Sequence, residues 1–238
     1  MDAVAPLGAG VLGVELQLAS VPEGVRAGHY VLLSDPAPGA DPAPVPFSLA
    51  SAPRELPRLT LHYRPTPGSE DAGRADALFV TGREIEVDLP HGPCGVERPL
   101  ARPLLILAGG TGIAQARSIV REHGRDPDAT LRLVWGARTP EELYLAGEFD
   151  AAAGEAFRWI GACEAGATAD RRRGRVADVV AEEVAAGRLA LADWDVLVAG
   201  GPPMVWGTVA ALRPHGLRRE RTRSDVFAYA PRDDLWSD

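Results

Sequence analysis

The chain has 238 residues but only two cysteines, Cys94 and Cys163, and no lysine; all 25 of its basic residues are arginine. Two thiols cannot ligate an iron–sulfur cluster, which takes four protein ligands. Their separation fits no zinc motif, and a disulfide would be unusual in a reducing compartment. The arginine-only usage accompanies richness in alanine, glycine and proline and marks coding bias rather than function. Acidic groups number 33, so the formal net charge is −8. That argues against a nucleic-acid surface, because phosphate neutralisation needs a basic face. No apolar run approaches the roughly 20 residues that span a bilayer, and the N-terminus lacks the charged and apolar regions of a signal peptide. The expectation is a cytoplasmic protein with no metal, no membrane and no nucleic-acid partner.

What is present is an ordinary globular composition, 46% hydrophobic and 24% charged, in a chain long enough for one large or two small domains. The first part reads as β. Val14, Leu16 and Leu18 alternate with polar or small residues, and Tyr30–Leu33, Phe47–Ala50, Leu59–Arg64 and Ile85–Leu89 follow as short strands. Pro- and Gly-rich turns separate them, which indicates a barrel or sandwich. A helical patch at Ala72–Val80 interrupts the series, Asp35–Pro46 is a low-complexity surface loop, and Pro90–Arg102 reads as a linker. From Leu104 the rhythm changes to strand and helix in alternation. Strand candidates are Leu104–Ala108, Leu131–Trp135, Phe157–Ile160, Val196–Ala199 and Arg218–Arg223, and the clearest helix is Val176–Ala186, closed by Gly187. Alternation of this kind predicts a parallel sheet with helices on both faces.

The chain is organised around Pro103–Ser118. Leu104 to Ala108 form an unbroken apolar run, as in a parallel strand buried on both faces. Gly109, Gly110 and Gly112 follow, and a helical pattern starts at Ile113. Strand, glycine turn and helix N-terminus together form an anion site, although such glycines also serve only to pack helix on sheet. A second apolar run and glycine turn, Val-Leu-Val-Ala-Gly-Gly-Pro-Pro-Met-Val at 196–205, would open on the same crevice. The paired motifs resemble the ferredoxin–NADP reductase superfamily. Its nucleotide domain carries a Gly-Gly-Thr-Gly turn and a later Cys-Gly-Pro-Pro-like turn, with Ala199 here in place of the cysteine. Ala199-Gly200 and the Ala-Arg-Ser at 116–118 look most like its NAD(P)H:flavin oxidoreductase branch.

The resemblance implies an N-terminal antiparallel β-barrel that binds flavin (FAD or FMN), residues 1–98, followed by a parallel-sheet NAD(P)-binding domain, residues 99–238. In the barrel, Pro46, Phe47, Ser48, Leu49, Ala50 and Ser51 resemble the flavin-binding strand, with Ser48 near flavin N5; the bland alternative is that Ser48 satisfies a strand end. Val45 stands where the family has an arginine, and Arg64 or Arg54 could replace that contact. His62, Tyr63, Arg64 and Gly92 join the flavin set, and Gly68-Ser69 is a weaker candidate for the ribityl or phosphate side. His29, Tyr30 and His91 read as structural, and Cys94 as an oxidisable thiol without a catalytic role. On the nucleotide side, Thr111 would lie beside the nicotinamide, Gly109, Gly110 and Gly112 at the pyrophosphate, and Gly200, Gly201 and Met204 around the nicotinamide pocket. Trp135-Gly136-Ala137-Arg138 offers no carboxylate to a ribose 2′-hydroxyl, and Arg138 could meet a 2′-phosphate, which leans to NADPH. The Arg171–Arg173 run reads as a solvated loop. Near the C-terminus, Phe227 first and Tyr229 second are candidates for a ring stacked on flavin.

The function so implied is hydride transfer from NAD(P)H to a loosely held or free flavin. One alternative is a reductase component with bound FAD that passes electrons to a separate protein acceptor. The other is a non-catalytic or redox-sensing subunit that has lost flavin affinity.

Overall fold

A computed structural model describes residues 1–37, 43–68, 70–166, 168 and 171–236. The centre of the Asp35–Pro46 loop and Ser69 lie outside the described residues.

The N-terminal half is built from β1 (Ala3–Gly8), β2 (Val11–Gln17), β3 (Tyr30–Ser34), β4 (Val45–Ser48), β5 (Arg58–Tyr63), α1 (Glu70–Leu78) and β6 (Glu86–His91). Two antiparallel sheets, β1-β2-β5 and β4-β3-β6, are joined by a bridge between Leu49 and Leu61. The alternation in β2 works as expected, with Val14 and Leu16 buried and Glu15 and Gln17 exposed. Val31, Leu33, Leu59 and Leu61 complete the barrel interior, and Leu78 of α1 packs against them. The linker does less linking than its prolines imply. The strand β6 runs on to His91, and Val96 pairs with Ala27 of the barrel.

The C-terminal half comprises β7 (Leu104–Gly109), α2 (Ile113–His123), β8 (Leu131–Ala137), α3 (Ala146–Ala152), β9 (Phe157–Cys163), β10 (Arg171–Arg173), α4 (Val176–Ala185), β11 (Asp195–Ala199), α5 (Pro202–Leu212), β12 (Thr222–Arg223) and the single turn α6 (Val226–Tyr229). The six strands are all parallel, in the order β10-β9-β8-β7-β11-β12. Every residue from Leu104 to Ala108 is no more than 1% exposed, so each leucine on either face contributes about 1.5–3 kcal/mol by burial. The chain starts in the middle of this sheet, builds outward to β10, then returns to the other side of β7. Ala108 lies beside Ala199 in register, so both glycine turns emerge together at the strands' carboxyl ends. That is the switch point at which open α/β sheets form a crevice.

Arg171–Arg173 is a strand rather than a loop. It pairs with β9 through its backbone, while Arg172 meets Glu182 and Glu183 and Arg171 meets Asp150 at 3.2 Å. The last strand covers only Thr222–Arg223 of the expected Arg218–Arg223, because residues 219–221 wind into a helical turn.

Candidate active site at the crevice

A cleft of about 1270 Å³ runs between barrel and sheet. It is lined from the barrel by Pro46, Phe47, Ser48, His62, Tyr63 and Arg64, and from the sheet by Gly109, Gly110, Thr111, Gly112, Arg138, Gly200, Gly201, Met204 and Tyr229. The structure therefore brings Ser48 and both glycine turns to one space.

The two turns are packed against each other. A Cβ on Gly112 would lie 2.3 Å from the carbonyl oxygen of Ala199, so only glycine permits this approach. Gly110 has a left-handed φ of 55°, and a Cβ there would point into open space. Met204 fills the gap between Gly109 and Gly200. The turn before α2 and the first residues of the helix line this crevice, and a helix N-terminus favours an anion.

On the barrel side, Phe47, Tyr63 and Phe79 pack edge-on, with centroids 5.2–6.0 Å apart, and fix the strand that carries Ser48. Tyr63 donates its hydroxyl to Asp76 at 2.7 Å. His62 lies 6% exposed with Nδ1 3.0 Å from the Tyr144 hydroxyl. Burial, reinforced by the positive charge of Arg117, pushes its pKa down to about 3, so the ring is neutral at ordinary pH. Arg64 has a buried Nε without a hydrogen-bond partner among the described residues. A buried N–H left unpaired costs about 1–3 kcal/mol, and a ligand oxygen in the cleft would remove that cost. The cleft thus fits a phosphate-bearing ligand on both of its walls.

Sequence reasoning missed a polar group at the floor. Asp225 lines the cleft and accepts a hydrogen bond from Gln115 at 2.9 Å, while its Oδ1 has no partner among the described residues. Burial raises its pKa, against the opposing hydrogen bonds from Gln115 and the Cys94 thiol. Cys94 is fully buried, and burial together with Asp225 pushes its thiol up. It is not an oxidisable surface group, because the thiolate is suppressed. Tyr30 also lines the cleft, stacked on His91 at 5.5 Å. No sequence signal marked Gln115 or Asp225, since a polar residue in an α/β half is expected at the surface. Among the described residues no cluster of histidine, cysteine and carboxylate side chains could hold a metal ion.

Several expected site residues lie elsewhere. Leu49 is 1% exposed and belongs to the barrel interior. Ala50 and Ser51 are buried where the strand leaves toward α2. Gly92 turns with φ 90° against Tyr30 and Asp225 behind the cleft wall. Phe227 stacks on Trp206 at 4.8 Å with Arg219 over its ring, so it is occupied by its own half, and Tyr229, 66% exposed at the rim, is the aromatic left at the cleft. Val45 is 4% exposed, packed in the barrel core at the edge of the cleft that it helps to line. Arg54 reaches the Glu122 carbonyl at 3.0 Å instead of the cleft. Arg138 is engaged by Glu142, with Nε and Nη2 bonded to one carboxylate oxygen at 2.9 and 2.6 Å. Arg138 lines the cleft all the same, with its side chain 77% exposed.

Residues 106–209 match the family described as oxidoreductase NAD-binding domain. The chain is 31% identical over 192 residues to an NAD(P)H-flavin reductase of Aliivibrio fischeri, a match covering 77% of this chain and 80% of that protein. The chain belongs to the ferredoxin–NADP reductase superfamily. This member is also 32% identical over 190 residues to a terephthalate 1,2-dioxygenase reductase component of Comamonas sp, covering 78% of this chain and 55% of the relative. It thus spans about half the length of that relative. The structure of an Amycolatopsis cytochrome P450 reductase superposes with a TM-score of 0.79 at 29% identity, covering 94% of this chain and 67% of that one. The two-domain fold implied by the superfamily motifs is the fold observed. No helix among the described residues is long and apolar enough to cross a membrane.

Proposed function

We propose that the chain is an NAD(P)H-dependent flavin reductase of the cytoplasm, with residues 1–98 as the flavin module and 99–238 as the nicotinamide module. The observation that carries this reading is the single cleft shared by Ser48 and the two glycine turns. When bound there, flavin supplies the hydride-accepting ring and the nicotinamide supplies the hydride. The chain's own residues do the remaining work. Gly109, Gly110 and the first turn of α2 hold a pyrophosphate, Thr111, Gly200, Gly201 and Met204 border the nicotinamide, and Ser48 directs a hydroxyl at the reacting edge. Phe47 and Tyr63 form an apolar wall, Arg64 anchors a phosphate, and Tyr229 shields the rim. Asp225, its pKa raised by burial, accepts a hydrogen bond from Gln115 at the floor of the cleft. Since the transfer is direct, orientation supplies much of the rate.

The test is the spectrum of the purified protein with NAD(P)H oxidation measured with and without added flavin. A colourless protein that oxidises NAD(P)H only when flavin is added supports the reading, and a colourless, inert protein refutes it. A second reading, a component with firmly held FAD and a protein electron acceptor, is favoured by the unpaired Nε of Arg64 and by the likeness to dioxygenase reductase components. A yellow protein that reduces free flavin poorly would support it.

A further inference from the structure

The strand that carries Ser48 and the turn that carries Thr111 belong to different halves of the molecule, yet one helix touches both. At its N-terminus α2 is locked to the sheet, because Gly112 abuts the Ala199 carbonyl and leaves no room for a Cβ. About 9 Å further along, at 1.5 Å per residue, its side chains reach the barrel. Arg117 donates Nη1 to the carbonyl of Ala50 at 3.1 Å, and Ser118, 0% exposed, donates its hydroxyl to the carbonyl of Ser51 at 2.7 Å. Those carbonyls stand two and three residues beyond Ser48. The segment between is held on its other side by Leu49 N to His29 O at 3.1 Å, Ala50 N to Thr60 O at 2.8 Å and Thr60 N to Ser51 Oγ at 3.1 Å. Arg117 is itself immobilised by Glu148, whose two oxygens lie 3.0 and 2.9 Å from its Nε.

We propose that α2 is the strut that sets the spacing between Ser48 and the nucleotide turn, and that Arg117 and Ser118 are positioning residues for hydride transfer. The inference rests on the proposed reaction and deepens it. Apolar packing of Ala116 and Ile119 with Ala27 and Val96 already joins the two halves, but such packing is non-directional and allows sliding. Directional bonds from the same helix remove that freedom, Gln115 to the Gly28 carbonyl, Arg121 to Glu55 and, nearest Ser48, those of Arg117 and Ser118. The last two tie the strut to the flavin strand without touching either ligand.

The experiment compares Ser118→Ala and Arg117→Met with the unaltered chain, with Arg54→Gln as a control that cuts a contact between the halves remote from Ser48. Dissociation constants for flavin and for NAD(P)+ are measured by titration, alongside kcat, KM and the isotope effect with deuterated NAD(P)H. A misplacement of reacting atoms lowers the rate steeply, so kcat should fall about tenfold or more while both dissociation constants stay within about twofold. The isotope effect should rise as hydride transfer becomes limiting, and Arg54→Gln should retain the original kcat. An unchanged kcat, or a fall matched by weakened ligand binding, overturns the strut. If Ser118→Ala does not fold, Glu148→Gln loosens Arg117 from a partly exposed site, and an unchanged kcat there overturns it equally. An unaltered chain that transfers no hydride overturns the proposed function and the strut together, whereas an active chain with indifferent variants overturns the strut alone.

Discussion

Two glycines of one turn should fail in different ways when given a methyl group. In Gly112→Ala the new carbon would press on one peptide group, with Ala199 O at 2.3 Å, Ala199 C at 2.5 Å and Gly200 N at 2.8 Å. Its φ of −57° is helical, so the penalty is steric and not conformational. Relieving it requires the two turns to separate by roughly 1 Å, which overpacking experience puts at about 1–3 kcal/mol of stability. A displacement of that size at the reacting centre costs on the order of 100-fold in rate. In Gly110→Ala the carbon meets nothing within 4 Å, and the left-handed φ costs about 1–2 kcal/mol while the spacing of the turns survives. The methyl projects toward the ligand, so this variant should raise KM for NAD(P)H and largely spare kcat. Steady-state NAD(P)H oxidation and thermal unfolding of both variants provide the comparison. Original kcat, KM and midpoint in Gly112→Ala would refute the reasoning, as the turns would then tolerate a contact the geometry forbids.

Three further outcomes are expected. Ser48→Ala should slow single-turnover hydride transfer by the equivalent of about 1–3 kcal/mol with a smaller change in flavin affinity; equal rates would remove Ser48 from the chemistry. Arg64→Gln should weaken a phosphate-bearing ligand roughly ten- to a hundredfold, from about 1.5–3 kcal/mol for a charge-assisted hydrogen bond, and riboflavin much less; equal losses for both would place Arg64 away from phosphate. His62 is held down to about 3 and His123 is also lowered, both chiefly by burial, so below the ordinary 6.5 the unfolded chain takes protons that the folded chain refuses. This contribution is complete above about pH 6.5 and is lost as pH falls toward 3. The unfolding midpoint should drop through that window, less so in His62→Gln, and a midpoint that rises on acidification would contradict the assignment.

The parts that sequence revealed are those in which composition and pattern coincide. Leu104–Ala108 and Val196–Ala199 are apolar on both faces and end in glycine, and Val176, Val179 and Val180 repeat at helical spacing, so strands, turns and helix could be read directly. β1 escaped because it is an edge strand with no buried residue, whose short apolar stretch is broken by Pro6 and Gly8, and β10 because three arginines form a strand only through backbone pairing and distant carboxylates. The aromatic at the rim was legible only as a choice between Phe227 and Tyr229. What decided it was Trp206, far away in sequence. Arg138 reaches the cleft as its position after β8 implies, and its partner Glu142, four residues on, is visible as spacing. Half-buried Asp225 had no such signal, because its partners Gln115 and Cys94 come from two other segments.

The order of strands also bears on how the molecule comes to exist. Leu105 and Val196 are direct neighbours, although most of the C-terminal half lies between them along the chain. Closing that interval is the slow, entropically unfavourable event in assembling such a sheet, and the crevice does not exist until it has happened. The barrel closes shorter intervals, with hairpins β1-β2 and β3-β4 between strands near in sequence and its longer pairings, β2-β5 and β3-β6, contained within the N-terminal half. A nicotinamide ligand therefore acts as a reporter of assembly. It stabilises only chains in which β11 has docked, by an amount set by its concentration relative to its dissociation constant. A nascent chain that ends before Asp195 can complete the barrel and the first glycine turn but lacks the second turn, against which Gly112 packs.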